Sequence, residues 1–154
     1  MVDVRLRDLG LTLPEVARPQ FNYLPVVAWG DIAYVSGQLP RVDAQLLVTG
    51  RVGETVTLEQ AREAARVCVL HALAVLRHAL GSLDRIERVL KVTGFVSSAP
   101  DFVDQPKVLD AASDLLVEVF GEAGRHARSA VGVASLPRNS PVEIELVVVL
   151  RKDG

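Results

Sequence analysis

Two charged residues stand where a sheet protein ordinarily keeps apolar ones. In HARSAVGVASLPRNSPVEIELVVVL, His126 to Leu150, Arg128 heads one strand-like run and Glu143 lies near the start of another. A guanidinium presents a planar fork of donors that matches a carboxylate. A carboxylate, in turn, can hold water or move protons. Arg128 shares its strand parity with Ala130, Gly132 and Ala134, so small side chains would leave open space in front of the sheet beside it. That pattern fits a clamp for a small organic acid. It also fits an arginine paired with an acid for structural reasons.

Glu143 shares parity with Glu145, whereas Val142, Ile144, Leu146 and Val148 take the other side. If the two runs pair as a hairpin across LPRNSP, Glu143 falls near Ala134. Arg128 is then roughly 20 Å away, at a rise of about 3.3 Å per residue. In that register the two charges meet only if they come from different subunits.

Other chemistry is scarce. No HExxH, paired CxxC or cluster of histidines with carboxylates offers a metal site. His71 and His78 share a helical face, where packing or surface roles fit them better than a metal. Neither a phosphate loop nor a GxGxxG turn is present, so nucleotide cofactors have no support. Cys68 falls on an apolar helical stripe and reads as a small buried hydrophobe. Ser36, in VSGQLP, lacks both the glycine-serine-glycine elbow and a visibly paired histidine.

The elements that must position these residues begin after residues 1 to 20, which read as an irregular arm. Pro14, Pro19 and Pro25 interrupt any regular element across the first 25 residues. VVAWGDIAYVSG predicts two strands around Gly30-Asp31. Residues 40 to 55 read as a long loop with a short strand at Leu46 to Val48. Thr57 and Gln60 form a capping box. Leu58, Ala61, Ala65, Cys68, Ala72, Leu76 and Ala79 then recur at helical spacing until Gly81 ends the helix. IERVLKVTGFVSS predicts a strand. A second helix follows Pro106, burying Leu109, Ala112, Leu116, Val119 and Phe120 and ending at Gly121.

With the last two strands the order is β-β-α-β-α-β-β in a single domain over residues 1–154. Such alternation predicts an α+β fold, a mixed β-sheet covered on one face by two helices. The other face is expected to be buried by a second subunit. Val92, Gly94 and Val96, with Ala130, Gly132 and Ala134, offer little polarity for water there.

With 154 residues, 49% of them hydrophobic and 23% charged, the chain has an ordinary globular composition. A formal net charge of −2 and the lack of a basic run argue against nucleic acid or anionic membrane as partners. One cysteine excludes an intrachain disulfide and suits the cytoplasm. The N-terminus carries scattered charges and reads as neither a signal peptide nor a membrane span.

Three segments together are familiar: YVSGQLP, KVTGFVSSAPDF and HARSAVGVASLP followed by VEIELVVV. From about Phe21 to Leu150 the chain resembles the reactive intermediate deaminase (Rid) family, also called YjgF-like or endoribonuclease L-PSP. Its N-terminal arm and GEAGRHARSAVGV look like a divergent branch.

The resemblance implies a chorismate-mutase-like fold and a homotrimer with clefts between subunits. It also implies hydrolysis of reactive 2-enamino or 2-imino acids to 2-keto acids and ammonia, with no metal or organic cofactor. By position, Arg128 matches the carboxylate-binding arginine and Glu143 the acid that positions attacking water. Tyr23 and Ser36 match cleft residues, and Gly37 is close to the substrate-binding backbone. Ala130 stands where the family often has cysteine, leaving only its backbone N–H to bind substrate. A trimeric binder of small carboxylate metabolites without turnover is the alternative. RNA cleavage, suggested by the older family label, finds no basic patch here.

Overall fold

The computed structural model describes residues 1–18 and 20–152. Helix α1 (Val2–Asp8) is followed by strands β1 (Val26–Trp29), β2 (Ile32–Gln38), β3 (Arg41–Val42) and β4 (Gln45–Leu46). Then come helix α2 (Leu58–Leu80), strand β5 (Ile86–Ser97), helix α3 (Gln105–Phe120) and strands β6 (Ala127–Val133) and β7 (Val142–Leu150). Both main helices start and stop where the sequence predicts. Thr57 and Gln60 close the capping box of α2, and Gly81 ends it at φ 81°, a left-handed conformation. Ala61, Ala65, Cys68, Ala72 and Leu76 are fully buried along α2, whereas Ala79 of the expected stripe is exposed in the last turn.

The five-stranded sheet has the order β1-β2-β7-β5-β6. Only β5 and β6 run parallel. The expected hairpin between the last two strands does not form, because β5 lies between them. The cause is topological: β5, α3 and β6 make a β-α-β unit, which returns β6 parallel to β5 along one edge. The other edge of β5 is then left for β7. In the intervening loop Arg138 and Asn139 take left-handed φ of 57° and 59°, while the backbone N–H of Ser97 donates to Pro141 O at 2.9 Å.

Both helices cover the same sheet face, and the parity of that face reverses one expectation. Val92, Gly94 and Val96 look toward the helices, not away from them. Gly94 makes room for Leu109 of α3, since a Cβ there would lie 2.8 Å from Leu109 Cδ2. Ala130 packs against the core, and Gln105 lies over Gly132, where a Cβ would come within 2.7 Å of its Nε2. At Gly94 and Ala130 the small residues therefore admit packing from the helix side, whereas Gly132 and Ala134 stay exposed at the end of the row. The uncovered face carries Tyr34, Thr93, Phe95, Ser129, Val131, Glu143, Glu145 and Val147. Trp29, at its edge, is 86% exposed.

The N-terminal arm is not wholly irregular. Helix α1 docks through Leu6, which is 3% exposed, and Val2 N–H donates to Asp84 Oδ1 at 2.6 Å. Pro19 lies outside the described residues. The expected loop at 40 to 55 holds the hairpin β3–β4, tighter and earlier than a strand at 46 to 48. Its turn residues Asp43 and Ala44 both have positive φ, 50° and 66°. Among the described residues no helix is long and apolar enough to cross a membrane.

Candidate functional site

A bulge in β2 shapes the site. Val35 pairs with Leu146 and Gln38 with Ile144, so β2 carries one residue more than β7 over this interval. The extra length brings Gly37 over the side chain of Glu143. A Cβ at Gly37 would stand 2.8 Å from Glu143 Cδ and 3.0 Å from Cγ, so only glycine permits this approach.

Glu143 is half-buried, and its carboxylate makes no hydrogen bond or ion pair among the described residues. Burial first, and then the charge of neighbouring Glu145, hold its pKa above the usual glutamate value. Such a carboxylate takes up a proton more readily, which is what a general base needs.

Glu143 opens into a cavity of about 520 Å³. Tyr23, Ser36, Gly37, Gln38, Arg41 and His71 line it, with Ala74 and Val75 of α2 as an apolar wall. The Ser36 hydroxyl donates to Leu24 O at 2.7 Å and its N–H donates to Pro25 O at 2.9 Å. Ser36 thus ties the segment bearing Tyr23 to β2, and its proton is already committed. Tyr23 is half-exposed at the rim. Another cavity, of about 500 Å³ beneath α1, has its charged walls partnered: Arg5 donates to Glu118 O and Arg151 to Asp84 O.

Arg128 and Ala130 stand apart from this group. Arg128 pairs with Val92 across β6 and β5, whereas Glu143 pairs with Phe95 across β7 and β5. Three residues along β5 and two strand spacings separate their Cα atoms by about 14 Å. Their side chains also leave opposite faces of the sheet. Arg128 Nη1 donates to Asp110 Oδ1 at 2.8 Å and to Ser113 Oγ at 3.1 Å, both on α3. Its Nε and Nη2 make no hydrogen bond among the described residues.

Within one chain, then, Tyr23, Ser36, Gly37 and Glu143 come together, and Arg128 with Ala130 belongs to another surface. The roughly 20 Å from a hairpin register is replaced by a shorter distance across the sheet, but the separation within one chain stands.

A comparison with protein families decides the kinship. Residues 3–150 match the family model described as "YjgF/chorismate mutase-like, putative endoribonuclease". The chain belongs to the Rid, or YjgF-like, family. It is 45% identical to protein TCP17 of Trypanosoma cruzi, over 97% of this chain and 94% of that one. Atu1372 of Agrobacterium tumefaciens, a solved protein of unknown function, is 47% identical with a TM-score of 0.90, over 97% and 92% of the two chains. The 2-iminobutanoate/2-iminopropanoate deaminase of Dermatophagoides farinae is 32% identical, over 91% of this chain and 94% of that one. The chain therefore sits on a branch of the Rid family nearer TCP17 and Atu1372 than the mite deaminase. Its fold is the family's chorismate-mutase-like α+β fold.

Sequence reasoning overlooked two cavity residues. Arg41, just past the SGQLP segment, and His71, set aside as packing or surface, are in contact: His71 Nε2 lies 2.7 Å from Arg41 O. His78, the other half of that pair, is exposed. Among the described residues no group of three or more metal-ligating side chains occurs. Cys68 is buried against β7, its thiol pKa pushed up by burial, as a structural residue would be.

Proposed function

We propose that the protein hydrolyses reactive 2-imino acids, and the 2-enamino acids in equilibrium with them, to 2-oxo acids and ammonia. The observation that carries this reading is Glu143: an unpartnered carboxylate of raised proton affinity, held against a bare glycine backbone in a ligand-sized cavity. The deaminase activity of the mite relative supports it.

The chemistry asks little of a protein. The imine carbon is already electrophilic, so water can add without a covalent nucleophile. Glu143 takes one proton from the attacking water as the C–O bond forms. That proton passes to nitrogen, giving the tetrahedral carbinolamine. Its hydroxyl proton then follows by way of Glu143 as the C=O bond forms and the C–N bond breaks, so ammonia leaves and the oxo acid stays behind. No electron changes hands, so the reaction needs no redox partner. Tyr23 at the rim orients water or substrate, and the backbone of Gly37 lines the approach.

The substrate's own carboxylate needs a clamp, and Arg128 fits it. Asp110 and Ser113 occupy its Nη1 and fix the side chain. The Nε–Nη2 edge stays open for a two-point contact. Because Arg128 and Glu143 leave opposite faces of one sheet, the complete site lies between subunits. Ala130 adds its backbone N–H there. The uncovered sheet face, with Tyr34 57% and Val131 42% exposed, supplies apolar surface for assembly as a homotrimer. A free, buried cysteine suits a cytoplasmic protein.

The test is a coupled assay with 2-imino acids generated in situ from several amino acids. Acceleration by the parent protein that disappears in Arg128→Ala is the expected result. No acceleration with any imino acid, while oxo acids still bind, would turn the reading to the noncatalytic binder.

A further inference from the structure

The α2 end of the cavity has chemistry that a simple four-carbon imino acid does not use. Arg41 opens the β3–β4 hairpin, and its Nε is buried without a partner among the described residues. Leaving a buried charged donor unmatched is costly, and a carboxylate oxygen is its natural complement. The residue is well held: Leu47 N–H donates to Pro40 O at 2.9 Å across the hairpin, and His71 grips Arg41 O from α2. His71 is thus a positioning residue. Its pKa is lowered by burial and by the Arg41 charge, against the hydrogen bond to Arg41 O, so it is neutral around pH 7.

Charge points the same way. Arg18, Arg41 and Arg138 line the cavity against the single acid Glu143, in a chain whose net charge is −2. The cavity volume also lies within the range of about 300–1,000 Å³ that accommodates drug-sized ligands. A four-carbon acid leaves much of it empty.

We propose that Arg41, positioned by His71, binds a second carboxylate of the substrate, so that the preferred substrates are 2-imino dicarboxylates derived from acidic amino acids. This rests on the cavity being the deaminase site. In that arrangement the first carboxylate is held by Arg128 from the neighbouring subunit, the imine carbon faces Glu143, and the side-chain carboxylate reaches Arg41.

The experiment separates binding from turnover. Calorimetric titration of the parent protein with 2-oxoglutarate and with 2-oxobutanoate, the stable oxo-acid counterparts, is expected to show at least about tenfold tighter binding of the dicarboxylate. Arg41→Met should cost 2-oxoglutarate at least about tenfold more affinity than 2-oxobutanoate and so abolish that difference. Arg41→Lys, which retains the charge, should keep part of it. Arg128→Ala should weaken both acids. Equal binding of the two acids by the parent overturns the proposal, as does an equal loss for both in Arg41→Met. If discrimination holds but neither 2-iminoglutarate nor 2-iminobutanoate is hydrolysed faster than in buffer, the dicarboxylate subsite stands and the deaminase reading fails.

Discussion

Gly37→Ala tests how closely the bulge of β2 controls Glu143. The glycine is not among the positive-φ residues, so alanine meets no backbone strain there. Its Cβ, however, would stand 2.8 Å from Glu143 Cδ. Carbon atoms settle at about 3.5–4.0 Å, so the carboxylate must retreat by about 0.7–1.2 Å. Misplacement of a catalytic group by about 1 Å can cost about 100-fold in rate. The side chain is free to swing, and replacing glycine reduces the entropy of the unfolded chain. Thermal stability should therefore hold or rise slightly while imine hydrolysis falls about 100-fold, mostly in kcat.

The measurement pairs a thermal melt with the coupled imine assay, and includes the double variant Gly37→Ala/Glu143→Gln. If Gly37 acts only through Glu143, the double variant is no slower than Glu143→Gln alone. A folded Gly37→Ala protein within about threefold of parental activity would refute the placement of Glu143 at the reacting carbon.

Glu143→Gln itself should keep oxo-acid binding and lose turnover, as titration and assay together would show. It should also raise the melting temperature at neutral pH. A raised folded-state pKa gives stability that is present below the unfolded value and lost as pH rises through the folded one, and glutamine removes that loss. The difference should close in acid. His71 and His126 carry pKa values lowered mainly by burial, so their contribution is present above the unfolded value near 6.5 and lost as pH falls below it. A denaturant series from pH 7.5 to about 5 should show falling stability, with a smaller slope in His126→Gln. Gly94→Ala forces a Cβ into Leu109, with Cδ2 at 2.8 Å, between a central strand and a packed helix. It should cost about 1–3 kcal/mol and lower the urea midpoint without changing the m-value.

The sequence makes the helices legible because their signals are local: the Thr57–Gln60 box, the apolar stripes, and the glycines at 81 and 121. Pairing is not local. Nothing between Ala134 and Pro141 announces that β7 passes its sequence neighbour β6 and joins β5 instead. That outcome follows from α3 returning β6 to one edge of β5, a constraint carried by three elements together. The parity of the central strands is hidden for a similar reason. Gly94 and Ala130 read as part of an uncovered face until Leu109 and the core are seen packed on them. Asp43 and Ala44 turn a hairpin with left-handed φ values that alanine rarely takes, so no turn signature marked it. Helix α1, at seven residues, is too short for periodicity to reveal.

In the candidate site, Glu143 stands out as a charge within the VEIE strand, whereas Gly37 is singled out only by the family resemblance of the SGQ segment. Arg41 and His71 meet only in the folded chain, across 30 residues of sequence.

Arg128 and Glu143 cannot reach one substrate within a single chain, and this separation can be tested directly. Arg128→Ala and Glu143→Gln proteins, each inactive alone, would be mixed under mild denaturation, reassembled and assayed. If the cleft lies between subunits, some mixed clefts receive an intact arginine from one subunit and an intact glutamate from the next. With random equimolar mixing, roughly a quarter of parental activity should return. Mixed assemblies that remain as inactive as their parents would contradict a site shared between subunits.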